Sequence, residues 1–205
     1  MAEGLVHVID DDEAMRDSLA FLLDSEDIES RLYDSAAAFL AALPEVAPGC
    51  ILTDVRMPEM SGLDLMRRLK AAGVGLPVVV MTGHADVPLA IEAMKLGVVD
   101  FIEKPFADDA LLSALREALE HGSARRQREG ERAAVAARLA SLSGREADVL
   151  KGLVAGRPNK VIAFDLGISP RTVEIYRANL MTKMQASSLS DLVRMSLLAE
   201  GDGAQ

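Results

Sequence analysis

Residues 50–62 read CILTDVRMPEMSG, and this stretch decides the fold of the first half of the chain. Cys50, Ile51, Leu52 and Thr53 form a short apolar run without amphipathic spacing, the pattern of a parallel strand buried on both faces. The run ends in one carboxylate, Asp54. Beyond it come Pro58 and Ser61-Gly62, where Ser61 and Asp64 have the Ser-x-x-Asp spacing that opens a helix ahead of Leu65, Met66 and Leu69. Asp54 therefore stands where a strand gives way to a loop, the position from which α/β proteins present reactive groups. Taken alone, such an Asp is more often a turn-former. Its company elsewhere in the chain decides between the two.

Upstream, Leu5 to Ile9 is an apolar run that ends in Asp10-Asp11-Asp12, with Met15, Leu19, Leu22 and Leu23 following at helical spacing. Ser30 to Tyr33 is a short second strand, and Ala36 to Leu43 an alanine-rich helix stopped by Pro44. Downstream, Gly73 and Gly75 close the helix after Asp54, and Leu76 to Met81 is a β-branched fourth strand that ends at Thr82-Gly83. Asp86 is placed to cap a helix running through Leu96, with Gly97 just beyond it. Val98 to Ile102 makes a fifth strand leading into Glu103-Lys104-Pro105, and Leu111, Leu112, Leu115 and Leu119 mark a fifth helix. Five strands alternating with five helices make an α/β fold, a five-stranded parallel sheet with helices on both faces. Right-handed crossovers commonly wind such a sheet in the flavodoxin-like order 2-1-3-4-5.

Composition bounds what this fold can do. Residues 1–123 hold 9 basic and 23 acidic residues, a net −14, whereas 124–142 carry +3 and 143–200 carry +2. Only the second half can approach a phosphate backbone, because the first repels it. MAEGLVHVID has no basic leader region, and no run approaches the roughly 18 apolar residues that a membrane span needs. A soluble, cytoplasmic protein with no membrane partner is expected. The lone Cys50 falls in a buried strand, which excludes a disulfide framework. His7, His84 and His121 are too scattered for a zinc site.

Under the order 2-1-3-4-5, the ends of strands one, three, four and five bring Asp10 with Asp11, Asp54, Thr82 and Lys104 to one edge. Carboxylates gathered there take up protons or recruit a cation, and an all-oxygen set with room for water suits Mg²⁺. An ammonium and a hydroxyl beside them are what a transferred phosphoryl group needs, since its chemistry is chiefly positioning and charge neutralisation. The residues therefore point to Asp54 as a nucleophile that accepts a phosphoryl group, with Mg²⁺ held by Asp10, Asp11 and Asp54. Each residue has a plainer role open to it: helix cap, loop hydroxyl or solvated charge. Four strand ends that each supply the right chemistry favour the joint reading.

VIDDDE, TDVRMPEMSG, VVMTGHAD and DFIEKPF resemble the receiver domain of two-component response regulators over about residues 3–121. The resemblance implies that Asp54 is the phosphoacceptor, with Asp11, Asp54 and the backbone carbonyl of Arg56 ligating Mg²⁺ and Asp10 alongside. It implies that Thr82 and Lys104 contact the phosphoryl oxygens, that Phe101 is an aromatic switch where an ordinary core ring is the plainer alternative, and that Lys104-Pro105 is cis. Phosphatases of the haloacid-dehalogenase type also end a strand in a nucleophilic Asp, but they resemble Asp-x-Asp, and here Arg56 stands in place of the second acid. Without that proton donor a lasting phosphoryl mark and slow autodephosphorylation are expected rather than turnover. A receiver-like domain that signals without phosphate is a further alternative.

From Ser123 to Leu142 the chain is rich in alanine and arginine and reads as a continuation of the fifth helix, broken or bent at Gly130. Ser143 and Glu146 form a capping box for a helix carrying Ala147, Leu150 and Val154. Asn159 caps a shorter helix over Lys160 to Leu166. After the turn Gly167-Ile168-Ser169, Pro170 opens a helix to Met184, and Ser188 with Asp191 opens a last one with Leu192 and Val193 in its core. Two helices joined by a three-residue turn form a helix-turn-helix. Val173, Tyr176, Leu180 and Met184 fall on a core stripe, leaving Arg171, Glu174, Ile175, Ala178 and Met181 on the opposite side. Glu174 suits a cytosine amino group and Ile175 or Ala178 a thymine methyl, while Thr172, Arg177, Lys160 and Lys183 suit phosphates. Periodicity alone fits a protein-binding helical bundle equally well.

LSGREADVL and GRPNKVIAFDLGISPRTVE resemble the four-helix LuxR-type domain over roughly 140–200, with Tyr176 where that family usually has His. A receiver followed by this domain resembles the NarL/FixJ subfamily and, in wording, its FixJ branch. The organisation expected is a receiver over residues 1–122, a helical linker over 123–140 and an all-α helix-turn-helix domain over 141–205. The resemblance implies a sensor histidine kinase as partner, here a haem-containing oxygen sensor. It also implies dimerisation through helix four, strand five and helix five, double-stranded promoter DNA of nitrogen-fixation and microaerobic genes as target, and RNA polymerase as the machinery it activates.

Overall fold

The computed structural model describes residues 4–83 and 87–200. Two compact units divide at Arg126 and Gln127. In the first, β1 (Leu5–Ile9), α1 (Glu13–Ser25), β2 (Glu29–Tyr33), α2 (Ala36–Ala42), β3 (Gly49–Asp54), α3 (Gly62–Ala71), β4 (Val78–Thr82), α4 (Val87–Leu96) and β5 (Asp100–Glu103) alternate, and α5 (Asp108–Ala140) begins there and ends beyond Gln127. All strand pairs are parallel and the sheet order is β2-β1-β3-β4-β5, as the alternation predicts.

The strand pleat sorts the core. Val6, Val8, Cys50, Leu52, Val79 and Met81 point to one face, where Leu19 and Leu23 of α1 and Leu111, Leu112, Leu115 and Leu119 of α5 cover them. Ile9, Ile51, Val78 and Val80 point to the other, against Phe39 of α2, Leu65, Met66 and Leu69 of α3 and Ala93 of α4. Each such side chain buried from water contributes about 2 kcal/mol, more than the few tenths that helix propensity supplies per residue. Central strands buried on both faces therefore read as continuous apolar runs, and the strand ends are left to carry polar chemistry.

The second unit holds α6 (Gly144–Val154), α7 (Asn159–Leu166), α8 (Pro170–Met184) and α9 (Leu189–Glu200). Val149, Leu150 and Leu153 of α6, Ile162 and Ala163 of α7, Val173, Leu180 and Met184 of α8 and Leu192 of α9 pack as one core. The Ser143–Glu146 capping box is present with both of its hydrogen bonds, and the Ser169 side chain accepts from the Thr172 N–H ahead of α8.

Several details depart from the sequence expectation, among them Val193, which is half-buried and stays outside the core that Leu192 joins. Pro44 does not end the chain's coiling: α2 stops at Ala42 and the backbone tightens into a 3₁₀ turn over Leu43–Glu45, where Pro44 fits because its missing N–H is not needed there. Helix α5 runs through Gly130 without interruption. Asn159 is the first residue of α7 rather than its cap; Pro158 holds that position and makes no side-chain capping bond. Met181 is half-buried and packs against the core instead of lying on the exposed side of α8. The cap expected at Asp86 lies outside the described residues.

Candidate functional site

At the carboxyl ends of the strands the sheet brings three of the expected residues into direct contact. Lys104, just past β5, donates from Nζ to Asp54 Oδ2 at 2.5 Å and to Asp10 Oδ2 at 2.9 Å. Backbone pairing sets this up: β1 and β3 are neighbours, β3 pairs with β4, and the Lys104 N–H donates to the Thr82 carbonyl at 2.7 Å, tying the end of β5 to the end of β4. Lys104-Pro105 is cis. Burial alone would lower the pKa of the Lys104 ammonium, but hydrogen bonds to Asp54 and Asp10, joined by their charges, outweigh it and hold the pKa above its ordinary value.

The acids themselves are held by backbone. Asp54 Oδ1 accepts from the Arg56 N–H at 2.8 Å, so the residue that replaces a phosphatase's second acid contributes its amide to the site. Asp10, only 1% exposed, accepts at Oδ1 from the Asp12 N–H at 3.0 Å, and Asp12 in turn caps α1 by accepting from Ala14 and Met15. Asp11 is exposed and lines a cleft of about 680 Å³ with Val55, Arg56, Met57 and Pro58.

Thr82 is fully buried at the end of β4, one residue beyond Met81, the partner of Asp54 in the ladder. Phe101 lies opposite Val80 on β5, half-buried against the α3 and α4 face of the core. Among the described residues no three acidic, imidazole or thiol groups converge as a ready metal cage. The donor chemistry nevertheless fits a hard divalent cation. Two carboxylates, those of Asp10 and Asp54, share one ammonium, and Asp11 lines the cleft of Val55 and Arg56, so acids outnumber the cation and the donors on offer are oxygens. Sequence spacing alone does not single out Arg16. Its Nη1 donates to the Asp10 carbonyl at 2.8 Å, and the signal was an arginine one helical turn past the acid cluster.

In the second unit Gly167 turns the chain between α7 and α8 in the left-handed region, at φ +65, which glycine adopts without a Cβ clash. On α8, Val173, Leu180 and Met184 are buried and Tyr176 packs against them. Arg171, Glu174 and Ala178 are exposed, as is Ile175 at 57%, while Arg177 is half-buried. The Thr172 hydroxyl shares a 2.8 Å hydrogen bond with the Ser169 hydroxyl. Lys160 is exposed on the first turn of α7. Lys183 has a structural partner that spacing did not show: its Nζ donates to Glu146 Oε2 at 2.7 Å. Glu146 is nearly inaccessible, and the Lys183 ammonium, with the Ser143 N–H and hydroxyl, pulls its pKa down to about 2.

Comparison with known proteins agrees with both halves. The response regulator receiver domain matches residues 6–116, and the luxR family of bacterial regulatory proteins matches residues 140–196. The transcriptional regulatory protein FixJ of Azorhizobium caulinodans is 58% identical over 97% of this chain and 95% of its own. FixJ of Bradyrhizobium diazoefficiens is 54% identical over 96% of each chain. Among solved structures, full-length FixJ from B. japonicum aligns with TM-score 0.61 at 53% identity, over 98% of this chain and 99% of that one. The response regulator StyR aligns with TM-score 0.86 at 39% identity, over 95% and 98%. Among the described residues no helix is long and apolar enough to cross a membrane. With a receiver whose acid edge precedes a helix-turn-helix, and with relatives of this similarity along nearly its whole length, the chain belongs to the two-component response regulators as a FixJ-like transcriptional regulator and not an enzyme.

Proposed function

We propose that the chain is a phosphorylation-gated transcription activator in which Asp54 is the phosphoacceptor. The observation that carries this is the Lys104 ammonium held between Asp54 and Asp10. In the proposed transfer an Asp54 oxygen attacks the phosphorus of a phosphohistidine on a sensor kinase; the new O–P bond forms as the N–P bond breaks, and the imidazole leaves with the electron pair. Lys104 then exchanges a carboxylate partner for a phosphoryl oxygen, and the Arg56 N–H keeps the second Asp54 oxygen in place during attack. Mg²⁺, held by Asp11, Asp54 and the Arg56 carbonyl with Asp10 alongside, would neutralise the phosphoryl oxygens. Thr82 is assigned the third phosphoryl contact and Phe101 the ring that follows it.

The marked receiver pairs with a second copy through α4, β5 and α5. Ile91 and Met94 on α4, 49% and 55% exposed, supply apolar surface for that face. Pairing matters because two copies of α8 set about 34 Å apart match successive major grooves of promoter DNA. Arg171, Glu174, Ile175 and Ala178 then face base edges, and Thr172, Arg177, Lys160 and Lys183 face phosphates. Kinship with the FixJ regulators extends the proposal to a cytoplasmic setting, a haem-containing oxygen-sensing kinase, RNA polymerase recruitment and promoters of nitrogen-fixation and microaerobic genes.

The test is mass spectrometry after treatment with acetyl phosphate and Mg²⁺. One added phosphoryl group is expected, lost in Asp54→Asn; no addition, or addition that survives that substitution, rules the chemistry out. For the second unit, promoter binding left unchanged by both Glu174→Ala and Arg177→Ala would remove α8 as the reading helix.

A further inference from the structure

Asp10 is held at every polar atom. Its N–H donates to the Tyr33 carbonyl at 3.2 Å, its carboxylate oxygens accept from the Asp12 N–H and from Lys104 Nζ, and its carbonyl accepts from Arg16 at 2.8 Å. The first three partners follow from the sheet, the loop and the phosphoacceptor chemistry. The fourth is a half-buried guanidinium on the first turn of α1 that no step of the transfer uses.

That contact bears on Asp11. The carbonyl of Asp10 and the N–H of Asp11 belong to one planar unit, so the direction of the carbonyl sets the direction in which Asp11 leaves it. Asp11 is exposed on the wall of the cleft, where packing does nothing to fix it. Its backbone is held from the far side by Asp12, the cap of α1, and from the near side by the Arg16 hydrogen bond.

We propose that Arg16 is a positioning residue for divalent-cation binding: by holding the Asp10 carbonyl it orients the Asp10–Asp11 peptide so that the Asp11 carboxylate faces the cation it shares with Asp54. This rests on the phosphoacceptor reading above. Geometry and charge predict opposite signs here. A guanidinium near the acids repels Mg²⁺, so an arginine acting by charge alone would weaken binding, and its removal would tighten it. A positioning arginine makes removal loosen binding, by about tenfold, the lower end of what the loss of an outer partner costs a metal site.

The experiment is calorimetric titration of Mg²⁺ into the full chain as wild type, Arg16→Met and Arg16→Lys, with acetyl phosphate kinetics beside it. Arg16→Met is expected to raise the Mg²⁺ Kd about tenfold, and Arg16→Lys, which keeps a donor, to recover most of the affinity. The Mg²⁺ concentration that half-saturates labelling of Asp54 should rise in parallel, with the rate at saturating Mg²⁺ within about twofold of wild type. Unchanged or tighter binding in Arg16→Met overturns the proposal, as does a slower saturated rate with no shift in half-saturation. Should Arg16→Met fail to fold, Arg16→Gln is read instead. It keeps an N–H donor without the charge, so binding within about threefold of wild type supports the hydrogen bond and a tenfold loss overturns it. Failure of the phosphoacceptor reading looks different: the wild type then binds Mg²⁺ and gains no phosphoryl group.

Discussion

Lys104 Nζ lies 2.5 Å from Asp54 Oδ2, although fifty positions of chain separate the two residues. The contact joins the ends of β3 and β5 across β4, and with Asp10 as its second acceptor it balances part of the negative charge that the strand order collects. Removing the ammonium leaves two poorly solvated carboxylates facing each other. Lys104→Met should therefore cost about 2 kcal/mol in urea unfolding without Mg²⁺. It should also slow labelling of Asp54 by acetyl phosphate about a hundredfold. Stability and labelling both at wild-type levels would remove Lys104 from the site.

Gly62 tests the backbone behind the phosphoacceptor. A Cβ there would lie 2.3 Å from the Asp54 carbonyl oxygen, which is fixed main chain and cannot swing aside. Gly62→Ala should lose about 2 kcal/mol of stability and displace the carboxylate, whereas Gly130→Ala, with open space around it, should be neutral or slightly stabilising. Thermal melts of the two variants make the comparison.

Glu146 gives the second unit an acid dependence. Its folded pKa of about 2 lies below the ordinary 4.5, so its contribution to stability is complete above 4.5 and is lost as pH falls from there toward 2. Denaturation of the unit followed by circular dichroism should show acid loss that is reduced in Glu146→Gln. If the two acid profiles superimpose, the ion pair with Lys183 does not stabilise the domain.

His7 gives the sheet a dependence at milder pH. It is buried in β1, with Nε2 2.9 Å from the Ala47 carbonyl and Tyr33 Oη 3.4 Å from Nδ1. Burial lowers its pKa; the Ala47 carbonyl opposes the shift and the Arg31 charge adds to it. A His with a lowered folded pKa stabilises the fold above its ordinary 6.5 and loses that contribution as pH falls below it. Between about pH 7.5 and about pH 5.5 the wild type should lose more melting temperature than His7→Leu. Equal losses would show that the imidazole takes up its proton equally readily in the folded and unfolded chain.

The elements were legible because their causes are local. An apolar run, a Ser or Asp cap, or a glycine past a helix end acts within a few residues, so the five strands, the helix caps and the helix-turn-helix could be read from residues such as Ser61, Ser143 and Pro170. Misreadings arose where local rules compete: Asn159 can cap, but Pro158 occupies that place, and Met181 sits near enough to the buried stripe to join it.

The sequence by itself determined that Asp10, Asp54, Thr82 and Lys104 stand at strand ends, because the apolar runs of the central strands leave the acids and the lysine to their tips. Only the tertiary structure decided that Lys104 bridges Asp54 and Asp10, that Arg16 holds the Asp10 carbonyl and that Glu146 engages Lys183. Those contacts depend on strand order, helix packing and the reach of flexible cationic side chains. No window of neighbouring residues encodes them, because each is fixed by the burial of a whole core.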